Sequence, residues 1–238
     1  MKILANDGIS QSGIDALTAN GFEVITVNVA QEQLVEYINS NDVKALLVRS
    51  ATTARKELID ACPGLQLIGR GGVGMDNIDV SYAREKGLTV INTPASSSQS
   101  VAELVMGQMF SIARFLHDSY KNIGSGDFNA LKKAYGKGVE LRGKTLVIVG
   151  FGRIGQALAS YALGAGMKVI GVGKERGNIG IDLTIGEHTL TVDVHCTDNL
   201  SEVLPLADYM SLHVPKQPNG DAVIGEDEFA SMKKGVRI

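Results

Sequence analysis

Lys144-Thr145-Leu146-Val147-Ile148-Val149-Gly150-Phe151-Gly152-Arg153-Ile154-Gly155 is the stretch on which the reading of this chain turns. Thr145 to Val149 read as a short buried strand, and apolar residues recur at helical spacing from about Arg153 to Leu163. Between them lies G-x-G-x-x-G, and the strand before it and the helix after it give that pattern meaning. Gly150 permits the tight turn, Gly152 lets a pyrophosphate approach the backbone, and Gly155 lets helix pack close to strand. The exposed N–H groups of the first helical turn, with the helix dipole, suit the negative charge. A second strand follows at Lys168 to Val172. An acidic residue about 20 positions past the fingerprint usually bonds the ribose hydroxyls there. This sequence instead has Gly173-Lys174-Glu175-Arg176. Glu175 can serve if the strand end is shifted; Lys174 and Arg176 can instead pair with a 2′-phosphate. NAD is the expected cofactor, with NADP open.

The first ninety or so residues repeat the alternation. Ile3 to Ala5, Glu23 to Val27, Ala45 to Val48, Leu65 to Ile68 and Leu88 to Ile91 read as strands, with amphipathic helices at Ser12 to Leu17 and Glu32 to Ile38. Ser10 or Ser12 is the expected N-cap and Gly21 the expected stop. Strands alternating with helices imply a mostly parallel sheet. Asn92 to Ser98 is a polar, Pro-containing boundary. Beyond it, Ser100 and Glu103 have capping-box spacing, and Val101, Leu104, Val105, Met109, Ile112 and Leu116 form the expected core-facing stripe of a long helix. Gly124 to Gly138 reads as a loop with one helical turn at most. Asp208 to His213 reads as a strand, Asp227 to Met232 as a short helix, and Gly235 to Ile238 as the opening of another strand.

Composition narrows the classes. The chain has 238 residues, with 23 Lys and Arg against 26 Asp and Glu, a net charge of −3. That is not the basic footprint of a nucleic-acid binder. No apolar run approaches the ~18 residues of a membrane span, and an acidic residue follows the N-terminus too soon for a signal peptide. The two cysteines, Cys62 and Cys196, cannot form a disulfide framework, so a cytoplasmic setting is expected.

Two further segments suggest a ligand. Arg49-Ser50-Ala51-Thr52 follows the third strand. Arg70-Gly71-Gly72-Val73-Gly74-Met75-Asp76 follows the fourth, with a backbone able to turn sharply and present N–H groups. Both fall at strand carboxyl ends, where ligands collect in open parallel sheets. Arginine supplies a planar fork for carboxylate or phosphate. His213-Val214-Pro215 ends a strand on the same edge as the glycine turn. Asp193, His195 and Cys196 match no zinc spacing, and no metal is expected. His117 and His188 read as surface residues. No nucleophile elbow is present.

Taken together these segments resemble the D-isomer-specific 2-hydroxyacid dehydrogenases. The resemblance is carried by Val48 to Thr53, Gly69 to Val80, Ile91 to Pro94, Ser100 to Leu104, Glu140 to Gly155, Gly166-Met167 and Met232 to Ile238, in the family's order. It implies an α/β fold of two parallel-sheet domains. Residues 1–98 would form a flavodoxin-like substrate domain and residues 99–238 a Rossmann domain, both incomplete. It further implies that Arg49, Ser50 and Arg70 lie near a substrate phosphate and carboxylate, and that Val73 and Gly74 reach substrate and nicotinamide. The dinucleotide would be held at Gly150, Gly152, Arg153, Ile154, Gly155, Gly173, Val214 and Pro215. The reaction implied is hydride transfer between a nicotinamide and C2 of a D-2-hydroxyacid, with 3-phosphoglycerate going to 3-phosphohydroxypyruvate, the first step of serine synthesis. A glyoxylate or hydroxypyruvate reductase and a non-catalytic nucleotide sensor are the alternatives. A homodimer or larger assembly through the nucleotide domain is expected. The family's catalytic arginine, glutamate and acid/base residue belong after Ile238. No catalytic residue is therefore assigned, and the chain reads as the inactive N-terminal part of a longer enzyme.

Overall fold

A computed structural model describes residues 1–124, 127–217 and 219–238. The chain forms two compact units, Met1–Ser96 and Ser97–Ile238.

Unit 1 carries strands β1 (Lys2–Ala5), β2 (Glu23–Ile25), β3 (Val43–Val48), β4 (Leu67–Arg70) and β5 (Thr89–Asn92), with helices α1 (Gln11–Ala19), α2 (Leu34–Ser40), α3 (Lys56–Ala61) and α4 (Val80–Glu85). All pairings are parallel, in the order β2-β1-β3-β4-β5, which is the flavodoxin order. Ser10 caps α1, its Oγ accepting from the Gly13 amide at 3.3 Å. Leu46, Val48, Ile68 and Val90 pack against Leu58, Ile59 and Ala83 in one core. The sheet is apolar on that face because α2, α3 and α4 cover it, as right-handed crossovers require.

Unit 2 carries helices α5 (Ser98–Arg114), α6 (Leu116–Asn122), α7 (Phe128–Tyr135), α8 (Arg153–Gly164) and α9 (Glu226–Ser231), and strands β6 (Thr145–Val149), β7 (Lys168–Val172), β8 (Gly177–Ile185), β9 (His188–Thr197) and β10 (Tyr209–Leu212). Its sheet runs β10-β6-β7-β9-β8. Four strands are parallel, and β8 pairs antiparallel with β9 as a hairpin. Arg237 makes a parallel bridge to Tyr209, as the strand-like reading of the last residues anticipates.

Three expectations need correction. α5 begins at Ser98 with Ser97 as its cap, and no side-chain capping bond forms, so Ser100 and Glu103 lie inside the helix and make no box. Its buried face is Ser98, Ala102, Met106, Met109 and Ala113. Leu104 and Ile112, expected inside, are 61% and 48% exposed. Alanines and flexible methionines face inward where α5 packs on α8, whose own buried residues are Gly155, Leu158, Ala159 and Ala162. The segment read as a loop contains α7, capped by Asp127, whose carboxylate accepts from the Asn129 amide at 2.8 Å. Ser125 and Gly126 of that segment lie outside the described residues. The β8–β9 hairpin was not anticipated at all.

Candidate functional site

Unit 1 holds a cleft of about 710 Å³ at the carboxyl ends of its strands. In this strand order the connections reverse direction between β1 and β3, and ligands collect outside the strand ends at such a point. Asp7 and Gly8 after β1, Arg49 after β3, Arg70 at the end of β4 and Asn92 at the end of β5 line the cleft. Leu47, Gly69 and Ile91, on the sheet face opposite the core, give it an apolar floor.

Asp7 builds the Arg49 loop. Its carboxylate accepts from the Arg49 amide at 2.6 Å, the Thr52 amide at 3.1 Å and Thr52 Oγ1 at 2.5 Å. Partial burial pushes its pKa up, but these bonds outweigh burial and hold the carboxyl below its ordinary value. From the other side Asn77 Nδ2 donates to the carbonyls of Arg49 at 2.9 Å and Thr52 at 2.6 Å. The loop backbone is thus fixed, while the Arg49 guanidinium takes no partner among the described residues.

Arg70 is held differently. Its Nη1 donates to the Gly74 carbonyl and pairs with Asp76 at 2.9 Å. The hydrogen bond from Arg70 holds the Asp76 carboxyl below the usual range. Asn92 Nδ2 donates to the Val73 carbonyl at 2.7 Å, and the Thr93 amide to the Gly72 carbonyl at 3.1 Å. Three successive carbonyls of the glycine loop are therefore tied down. The amides of Val73 and Gly74 have no protein acceptor among the described residues, so the loop offers donors. Arg49 and Arg70 line the cleft; Ser50, Val73 and Gly74 sit in its two bordering loops without lining it.

Unit 2 holds a cleft of about 510 Å³. Gly150, Gly152, Gly173, Val214 and Pro215 line it, whereas Arg153, Ile154 and Gly155 form the first turn of α8 beside it. Gly150 has φ +95°, and a Cβ there would lie 2.5 Å from the His213 carbonyl oxygen. A Cβ at Gly155 would lie 2.5 Å from the Gly150 carbonyl oxygen, so helix and turn touch. At Gly152 a Cβ would meet nothing within 4 Å. That space, and a first helical turn with neither acidic residue nor capping side chain, fit a pyrophosphate. Ser211 Oγ lies 2.9 Å from His213 Nε2, and burial pulls the imidazole pKa below its ordinary value, leaving it neutral at pH 7.

Ile179 and Cys196 also line this cleft. They come from the unforeseen hairpin, whose signal was the period-two run Ile179, Ile181, Leu183, Ile185 before Gly186. Cys196 is buried, as is Cys62, and both are free thiols. His195 and Asp193 are exposed on the other side of β9 from Cys196. Among the described residues no group of three or more metal-ligating side chains occurs, and no helix is long and apolar enough to cross a membrane.

One parallel and one mostly parallel sheet with a cleft at the strand ends of each, one cationic and one glycine-walled, define an α/β protein of dehydrogenase type. The family model described as D-isomer specific 2-hydroxyacid dehydrogenase, catalytic domain, matches residues 3–229, and the chain belongs to that family. Two curated relatives are each 38% identical over the whole of this chain: a D-3-phosphoglycerate dehydrogenase from Methanocaldococcus jannaschii and a hydroxypyruvate reductase from Thermotoga maritima. The chain spans 43% of the length of the first and 72% of the second. Among solved structures, NAD⁺-bound 3-phosphoglycerate dehydrogenase from Entamoeba histolytica superposes with a TM-score of 0.73 at 25% identity, covering 99% of this chain and 70% of that one. An acyclic imino acid reductase in complex with NADPH and D-Arg gives 0.78 at 25% identity, covering 98% and 71%.

Proposed function

We propose that this chain supplies the substrate-binding and dinucleotide-binding parts of a nicotinamide-dependent D-2-hydroxyacid dehydrogenase acting on 3-phosphoglycerate, with 3-phosphohydroxypyruvate as product. The observation that carries the substrate reading is the pair of arginines at neighbouring strand ends. Arg49 and Arg70 line one cleft: the Arg49 guanidinium is free to take a phosphate, while Arg70, with Nη1 held by Gly74 and Asp76, has only its second terminal nitrogen to offer a carboxylate. The glycine-loop amides at Val73 and Gly74 add donors for a carboxylate or for the oxygen at C2. In unit 2, Gly150 and Gly152 leave room for the pyrophosphate, and the α8 N-terminus stabilises its charge. When bound, the nicotinamide accepts or donates the hydride.

Hydroxypyruvate reduction is the second reading, favoured by the equal identity of the Thermotoga maritima relative and by its higher coverage. A homodimer or larger assembly through unit 2 is supported by the outward Leu104, Phe110 and Ile112 of α5. A cytoplasmic setting is supported by two unpaired, buried thiols.

Arg49→Ala separates the substrate readings. Binding of 3-phosphoglycerate, hydroxypyruvate and glyoxylate to the purified protein is titrated by calorimetry. A charged bidentate contact to phosphate contributes about 1.5–3 kcal/mol, so Kd for 3-phosphoglycerate should rise by about tenfold or more, with a much smaller rise for glyoxylate. Equal effects on both substrates would remove the phosphate assignment.

A further inference from the structure

The adenosine end of the unit 2 cleft carries an unusual arrangement of charge. β7 ends at Val172, and the Gly173 amide donates to the Thr197 carbonyl at 2.9 Å, so Gly173 is the first residue past the strand. From this position a carboxylate ordinarily bonds the ribose hydroxyls and repels a 2′-phosphate. Glycine removes both effects. The space is open, since a Cβ there would meet only Phe151, at 3.6 Å from its Cβ.

The charged groups near this point then sort themselves. Arg176 is paired with Asp198 and lies 4.0 Å from Glu202. Glu202 also accepts from Thr197 Oγ1 at 2.9 Å and from Asn199 Nδ2 at 3.1 Å. These three charges are occupied with one another. Lys174 lines the cleft and has no ion-pair partner among the described residues. Glu175 lines it too, and its charge bears on the buried Cys196 thiol of β9. After Arg176 the chain enters β8, where the usual unit would start a crossover helix. No helix N-terminus therefore follows β7 to receive a phosphate, and the Lys174 ammonium is the cation in place to do so.

We propose that Lys174 selects the cofactor and that the dinucleotide bound in unit 2 is the 2′-phosphorylated form, NADP(H). The ammonium, with three donors and a compact charge, matches a phosphate dianion and gains little from a neutral diol. This inference rests on the reading of the cleft as a nicotinamide dinucleotide site. The competing arrangement, Glu175 accepting from the ribose hydroxyls, predicts the reverse preference.

Equilibrium titrations of the full chain with NADPH and with NADH, followed by nicotinamide fluorescence, decide it. NADPH should bind at least about tenfold more tightly than NADH. Lys174→Gln should abolish that margin by weakening NADPH while leaving NADH within about twofold. Gly173→Asp should invert the preference, and Glu175→Gln should preserve it. Equal or tighter binding of NADH, or a Lys174→Gln variant that weakens both nucleotides alike, overturns the proposal and leaves the dinucleotide site standing. Binding of neither nucleotide overturns the site reading and this inference with it.

Discussion

The three glycines of the fingerprint illustrate how one residue type does different work at neighbouring positions. Gly150 and Gly155 are fixed by contact: a methyl group on either would overlap a backbone carbonyl, at 2.5 Å in each case. Gly152 has open space around it and is required only by whatever enters that space. Folding and binding should therefore separate on substitution. Gly155→Ala forces the helix off the turn, at a cost of about 1–3 kcal/mol for an overpacked site, and the melting temperature falls. Gly152→Ala should leave stability within about 0.5 kcal/mol and weaken dinucleotide binding by about tenfold or more. Thermal melts and nucleotide titrations on the two variants check this. Equal loss of stability in both would mean that the turn is strained at Gly152 as well. The same contrast holds in unit 1. Arg49 and Arg70 look alike in the sequence, but Arg70 is already engaged by Gly74 and Asp76, while Arg49 is left for a ligand. Nothing in a linear reading distinguishes an arginine that shapes its own loop from one that waits for an anion.

At the scale of elements, the unit 1 strands, β6, β7 and β10 of unit 2 and the α8 turn are legible because short apolar runs bounded by polar or glycine residues have few other solutions in an α/β chain. What misled was the angle of the α5 stripe, of which Met109 is buried and Leu104 and Ile112 are not. The hairpin was missed outright. Residues 177–197 were assigned no element, although β8 carries a plain period-two pattern. The hairpin is part of the fold and no mere appendage, since Ile181 and Val194 lie in the same core as Leu158 of α8. Ile181 is 4% exposed and Ile185, near the tip of the same strand, 65%. Ile181→Ala should cost about 2–5 kcal/mol, as large-to-small core substitutions do, while Ile185→Ala should fall within about 0.5 kcal/mol of the parent. Chemical denaturation of both variants gives the comparison. A small effect at Ile181 would mean that the hairpin detaches from the sheet with little loss.

For the whole molecule, the distribution of cores matters more than their size. The cluster around Leu46 and Ile68 is drawn wholly from unit 1, and those around Leu158 and Val147 wholly from unit 2. Each cleft is likewise lined from within one unit. Chains with separate cores depart from two-state unfolding, and a ligand stabilises only the unit that binds it. Calorimetry of the purified protein should therefore resolve two transitions. A dinucleotide at about 100 times its Kd adds about 2.7 kcal/mol to the unit that holds it and should raise one transition alone. Leu46→Ala, at a fully buried position of unit 1, removes about 2–5 kcal/mol and should lower the other. The nucleotide affinity of that variant should match the parent's, because no residue of the glycine-walled cleft belongs to unit 1. A single transition moved by both perturbations would mean that the two units unfold as one cooperative body.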